Sequence, residues 1–185
     1  MSSEDPKDQL VGHLPALRSF ALSLTRNRST ADDMVQDTVV KAWTNIEKFK
    51  EGTNMRAWLF TILRNNYYSS RRKLNREVAD VDGTFSGALS VKPDHDGRMQ
   101  MAEFRAAFEQ LPDEQREALI LVGASGFSYD EASEMTGVAV GTVKSRANRA
   151  RARLTEMLDL DENSPLEMTD AATMAVVGGG TGRTT

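Results

Sequence analysis

The chain has 185 residues, 23 Lys and Arg against 27 Asp and Glu, 5 Pro, no Cys and 39% hydrophobic residues, a size and balance that suit a soluble chain of one or two small domains. Without cysteine there is no disulfide framework, thiolate metal site or Cys nucleophile, and with only His13 and His95 a histidine-rich metal centre is excluded too. No apolar run approaches the roughly 20 residues that cross a bilayer, and the polar, acidic start MSSEDPKDQL is unlike a signal peptide; the expected compartment is the cytoplasm, with no membrane contact.

The net charge of -4 is unevenly placed: residues 1–76 carry +5, 77–98 carry -3, 99–155 carry -1 and 156–185 carry -5. Two strips hold five basic residues each and no acid, RNNYYSSRRKLNR at 64–76 and KSRANRARAR at 144–153. Two separate cationic strips suggest two contacts with a polyanion.

In chain order, Leu10, Leu14, Leu17, Ala21 and Leu24 recur at 4-3-4-3 spacing, and Val35, Val39, Ala42 and Ile46 at 4-3-4, the stripes of amphipathic helices facing a core. Ser29 or Thr30 can cap the second helix, with Asp32 and Asp33 in its first turn where the helix dipole favours negative charge. A third helix is expected from Thr53-Asn54 to about Arg72, with Met55, Leu59, Ile62 and Asn66 facing inward and Trp58 in the core. Residues 77–98 mix Gly, Ser, Asp and Pro without periodicity and read as a flexible linker.

Met101, Phe104, Phe108 and Leu111 restart a helical stripe, Pro112 opens the next helix, and ALILVGASG closes it at glycine. Ser128-Tyr-Asp-Glu131 is a capping box, Gly137 suits a left-handed turn, and a long helix follows from Val140 to Leu158. The expected fold is all-α: two small helical domains, a three- or four-helix bundle over 1–76 and a helix-turn-helix domain over 99–158, joined by the linker. An acidic, Gly-rich tail over 159–185 is expected to be disordered.

A short helix, a Gly turn and a basic second helix describe a helix-turn-helix, whose second helix enters the DNA major groove. At about 100° per residue, Val143, Ala147, Ala150 and Leu154 share one inward sector. Ser145, Asn148, Arg149 and Ala152 lie opposite, with Lys144 and Arg151 on one margin and Arg146 and Arg153 on the other. Arg149 or Lys144 could read guanine and Asn148 adenine, while the flanking arginines fix register on phosphates. A merely solvated face would mix both signs of charge.

On the third helix, Phe60, Arg64, Tyr67, Tyr68 and Arg71 are expected to project outward or sideways. Aromatic rings among cations suit stacking on separated bases; alternatively, Tyr67 and Tyr68 pack against a neighbouring segment of the chain. No catalytic set, Gly-rich phosphate loop, cofactor motif or metal cluster emerges.

The motifs DDMVQDTVVKAW (32–43), Phe49 with Trp58 nine residues on, LFTILRN (59–65) and FSYDEASEMTGVAVGTVKSRANRARARL (127–154) together resemble a bacterial sigma factor of the extracytoplasmic-function (ECF) group. GTNMRAWLFTILRN, YYSSRRK and REVADVDG resemble its EcfG-type subgroup, which directs the general stress response. The resemblance implies a sigma-2 domain over 1–76 and a sigma-4 domain over 99–158, with no catalysis. It implies that Asp33, Met34, Gln36 and Asp37 dock on the coiled coil of the beta-prime subunit of core RNA polymerase. It assigns the promoter -10 element to Phe49, Asn54, Asn65 and the strip Arg64–Arg72 with Tyr67, Tyr68 and Arg71, to which the outward reading of the helix adds Phe60. Lys144, Ser145, Asn148 and Arg149 match the positions that read the -35 element, where the family often has a larger side chain than Asn148; Thr142, Arg146, Arg151 and Arg153 complete the expected -35 surface. It further implies an anti-sigma factor of NepR type. The competing expectation is a sigma-like mimic that sequesters the anti-sigma factor without activating transcription.

Overall fold

The computed structural model describes residues 6–79 and 96–159. Among these residues the ordered elements are all helical. Helix α1 (Pro6–Gly12) and α2 (Leu14–Thr25) share the first apolar stripe, but the chain breaks between them. Pro15 stands in the first turn of α2, where its missing N–H costs nothing, whereas inside one continuous helix it would remove a hydrogen bond and clash with the preceding turn. Helix α3 (Arg28–Thr44) is capped by Asn27, whose side chain accepts from the Thr30 amide, and not by Ser29 or Thr30. Asp32 and Asp33 therefore fall beyond its first turn. A short 3-10 turn (Ile46–Lys48) leads to α4 (Met55–Ala79), whose start is held by the Ala57 amide donating to Asn54 Oδ1 at 3.1 Å.

The second domain comprises α5 (Asp96–Glu109), α6 (Asp113–Leu119), α7 (Tyr129–Thr136) and α8 (Val140–Met157). Helices α4 and α5 extend into both ends of the expected linker 77–98. The remainder of that linker, and all of the expected tail 159–185 except Asp159, lie outside the described residues. Phe108 and Leu111 of the expected α5 stripe are buried, Phe104 is half-buried, and Met101 is exposed.

Helix α6 does not stop at glycine directly but widens into a π turn over Ile120–Ala124, in which the Ser125 amide donates to the Ile120 carbonyl at 2.7 Å. Gly126 at φ 72° then reverses the chain. The Ser128–Glu131 capping box is formed in both directions, with Ser128 Oγ accepting from the Glu131 amide at 3.1 Å and Glu131 Oε2 from the Ser128 amide at 2.8 Å. Gly137 at φ 73° makes the left-handed turn between α7 and α8.

The two domains lie against each other. Helix α4 packs on α7, and α2 on α6. Phe60 of α4 stacks on Phe20 of α2 at 4.6 Å between ring centroids and meets Phe127, just before α7, edge-on at 5.3 Å. The π turn and Gly126 thus deliver Phe127 to the first domain's core. Arg56 lies over both Phe60 and Phe127, at 5.4 and 5.0 Å from the ring centres.

Candidate nucleic-acid interface

Helix α8 carries the expected recognition face. Val143, Ala147, Ala150 and Leu154 are all buried, because a repeat of 3–4 residues keeps them on one side of the cylinder and alanine lets α6 and α7 approach closely. Thr142, Lys144, Asn148, Arg149 and Arg153 are exposed, while Ser145, Arg146 and Arg151 are half-buried. The Lys144 ammonium sits 5.3 Å from the Tyr129 ring centre, and Arg151 Nη1 donates to Asn148 Oδ1 at 3.3 Å. These contacts hold long side chains at the margins without covering the face. Arg146 is bound into the domain by Glu114 of α6 at 3.2 Å, so it braces α6 against α8 in addition to any phosphate it meets.

The cationic strip of α4 is placed differently from its expectation. The buried line is Met55, Leu59, Phe60, Leu63 and Tyr67, whereas Ile62 and Asn66 are half-buried and Trp58 only half enters the core. Phe60, expected outward, is fully buried and Tyr67 is 6% exposed. The reason is a second partner: the core face of α4 is wide enough to serve its own bundle on one side and α6–α7 on the other. Of the two alternatives for Tyr67 and Tyr68, packing against a neighbouring segment is the one realised.

Two acids of α6 meet this strip. Arg64 Nε donates to Glu117 Oε1 at 2.6 Å and Tyr68 Oη donates to Glu117 Oε2 at 3.1 Å. Arg71 pairs with Asp113, Tyr67 Oη donates to Asp113 Oδ2 at 3.3 Å, and Arg26 stands 3.6 Å away. Arg71 also donates to Tyr67 Oη at 3.0 Å, and Arg64 lies over the Tyr68 ring at 4.6 Å. Glu117 is 1% exposed. Burial pushes its carboxyl above the ordinary carboxylate value against the opposing pull of Arg64, and burial beside Glu117 likewise pushes the Tyr68 phenol up. Asn65 and Arg72 remain exposed. Asn54 Nδ2 donates to Glu131 Oε1 of α7 at 3.1 Å, and Phe49 packs against Trp58 at 5.3 Å.

The outer face of α3 presents Asp33, Gln36 and Asp37 to solvent. Met34, expected on this face, is instead buried in the bundle, because it shares the sector of Ala31, Val35 and Thr38. Val40 (63% exposed) and Trp43 (50%) continue the exposed row. Periodicity alone places them, at three- and four-residue steps from Asp33, Gln36 and Asp37, and large apolar groups exposed side by side with a polar rim mark a protein-binding surface. Among the described residues no cluster of His, Cys, Asp or Glu is arranged to hold a metal, and no helix is long and apolar enough to cross a membrane.

Comparison with known proteins identifies both domains. Residues 10–77 match the family of sigma-70 region 2 and residues 101–154 that of sigma-70 region 4. The chain is 49% identical over 173 residues to the ECF RNA polymerase sigma factor EcfG of Rhodopseudomonas palustris, covering 94% of this chain and 95% of that protein. It is 33% identical to the RNA polymerase sigma factor CnrH of Cupriavidus metallidurans, over 83% of this chain and 86% of that one. The solved structure of the sigma factor RpoE from Bartonella quintana, in complex with the anti-sigma factor NepR, is 50% identical with a TM-score of 0.75, covering 84% of this chain and 97% of that one. The chain therefore belongs to the ECF group of RNA polymerase sigma factors, subunits that direct core polymerase to promoters.

Proposed function

We propose that this sigma factor selects promoters of general stress response genes, in the cytoplasm and without catalysis of its own, by dividing recognition between its two domains. Thr142, Lys144, Ser145, Asn148 and Arg149 of α8 read the -35 duplex, and Arg146, Arg151 and Arg153 fix its register on phosphates. Phe49, Asn54, Asn65 and Arg72, with Arg64, Tyr67, Tyr68 and Arg71, serve the -10 element as its strands separate, and Phe60 supports them from the core. Asp33, Gln36 and Asp37, joined by Val40 and Trp43, dock on the beta-prime coiled coil of core polymerase. The working domains are 1–76 and 99–158.

The observation that carries this reading is α8: a face without an acid from 144 to 153 stands directly over a buried stripe that fixes its direction. Two modest contacts tethered on one polymerase raise each other's effective concentration, so neither domain needs to bind tightly alone. The stress assignment and a NepR-type anti-sigma partner rest on likeness to the EcfG and RpoE proteins. The test is promoter selection by holoenzyme reconstituted from core polymerase and this chain, with a NepR-type protein then added. Selected promoters should cluster upstream of stress genes, and the added protein should abolish their transcripts; promoters of unrelated genes, or transcripts indifferent to that protein, would overturn the assignment.

A further inference from the structure

On the exposed side of α8, the direction of the Asn148 amide is fixed by a neighbour. The residues one turn away from it are Lys144, Ser145, Arg151 and Ala152. Ala152 has no polar side chain, Ser145 is short, and the Lys144 ammonium is drawn aside over the Tyr129 ring at 5.3 Å. Arg151 is left, and because helical side chains lean toward the N-terminus its guanidinium reaches back to Asn148. Arg151 Nη1 donates to Asn148 Oδ1 at 3.3 Å. A guanidinium can only donate, so this contact tells the two ends of the amide apart: the oxygen is held by Arg151, and Nδ2 is left with its N–H groups to offer. Asn148 itself is exposed, whereas Arg151 is half-buried.

An asparagine reads adenine with both ends of its amide: Nδ2 donates to N7 while Oδ1 accepts from the N6 amino group. With Oδ1 already held by a cation, an adenine amino group competes for the same oxygen and meets a positive charge there. Guanine instead presents N7 and O6, both acceptors, on its major-groove edge, which suits an amide left with donors alone. We propose that Arg151 is a positioning residue that sets base specificity: by holding Asn148 Oδ1 it makes the amide a donor and shifts the base it selects from adenine to guanine. The inference rests on α8 reading the -35 element. Arg151 acts through Asn148 and touches no base itself, and its remaining N–H groups stay available to a phosphate.

The test uses holoenzyme reconstituted from core polymerase and the full chain, with equilibrium binding measured on promoter DNA in which each -35 base pair is varied singly. Asn148→Ala should flatten the preference at one base pair, which identifies the base that Asn148 faces. There the unaltered chain should prefer guanine to adenine about tenfold, within the range that one well-placed side chain discriminates. Arg151→Leu keeps a good helix former at that position; it should cancel the advantage of guanine or reverse it toward adenine, and leave preferences at the other base pairs as they were. Adding Arg151→Leu to Asn148→Ala should alter no preference further, because the arginine acts through the amide. A base other than guanine preferred by the unaltered chain at that position overturns the proposal. So does Asn148→Ala that flattens no position, or Arg151→Leu that weakens all sequences evenly, the behaviour of a phosphate contact alone. Holoenzyme that binds promoter and unrelated DNA alike would instead refute the reading of the -35 element by α8 itself.

Discussion

Glu117 accepts hydrogen bonds from Arg64 and Tyr68 in a place closed to water. Its folded-state pKa lies above the ordinary 4.5, so the folded chain binds that proton more tightly than the unfolded one. Its contribution to stability is complete below pH 4.5 and is lost as pH rises through the raised value. Glu131, held by the Ser128 amide and by Asn54, is shifted the other way: its contribution is present above pH 4.5 and is lost as pH falls through the lowered value. Thermal melts from pH 4.5 toward neutrality should therefore lose part of their slope in Glu117→Gln; an unchanged slope would show that Glu117 is not buried as described.

On α8, Lys144→Ala and Arg149→Ala should each weaken -35 binding by about 1–3 kcal/mol where a base contact is lost. Arg146→Ala should weaken binding evenly across sequences and flatten its salt dependence. Titrations of holoenzyme on -35 variants at several salt concentrations separate the two behaviours, and a changed sequence preference in Arg146→Ala would contradict its role. The face of α8 was legible because its inward residues repeat strictly and its outward ones share one sign of charge. Arg146 was legible as a cation but not as a brace, since Glu114 is 32 positions away and only folding brings them together.

At the scale of elements, local signals suffice where one residue settles a backbone question. Ser128 with Glu131, Gly137 and Pro112 each do so, and the helix boundaries there agree closely with expectation. Asn27, not the expected Ser29 or Thr30, caps α3; all three residue types can cap, and the choice depends on where the chain leaves α2: Arg26, at φ 57°, ends that helix and sets Asn27 in the extended conformation a cap needs. Ser128→Ala should cost about 1 kcal/mol by removing the acceptor for the Glu131 amide. Denaturant unfolding measures this directly, and a loss confined to near zero would mean that the α7 terminus is held by packing alone.

Helix α4 shows what a wheel cannot see. Its stripe predicts one buried face, yet it serves two partners, so Phe60, expected outward, lies between domains, and for Tyr67 the packing alternative is the one realised. Phe60→Ala should cost about 3–5 kcal/mol, since it removes a ring packed against Phe20 and Phe127. An outward Phe60 would make the change nearly silent in the same unfolding measurement.

At the scale of the whole molecule, composition and motif order were enough to indicate two helical domains and a polyanion partner. Their mutual docking was not indicated, because it depends on contacts between residues 53 and 49 positions apart, such as Arg64 and Tyr68 with Glu117, that leave no periodic trace. Charge explains the arrangement afterwards: Arg64 and Arg71 of the first strip meet Glu117 and Asp113 of α6, while Lys144, Arg149 and Arg153 of the second remain exposed. The most direct measurement of its role is run-off transcription by purified core polymerase on a promoter library, with and without this protein. Defined transcripts should appear only with the protein present, and their start sites should share a -35 and a -10 element. Silence from a preparation that demonstrably binds core polymerase would contradict its role in initiation.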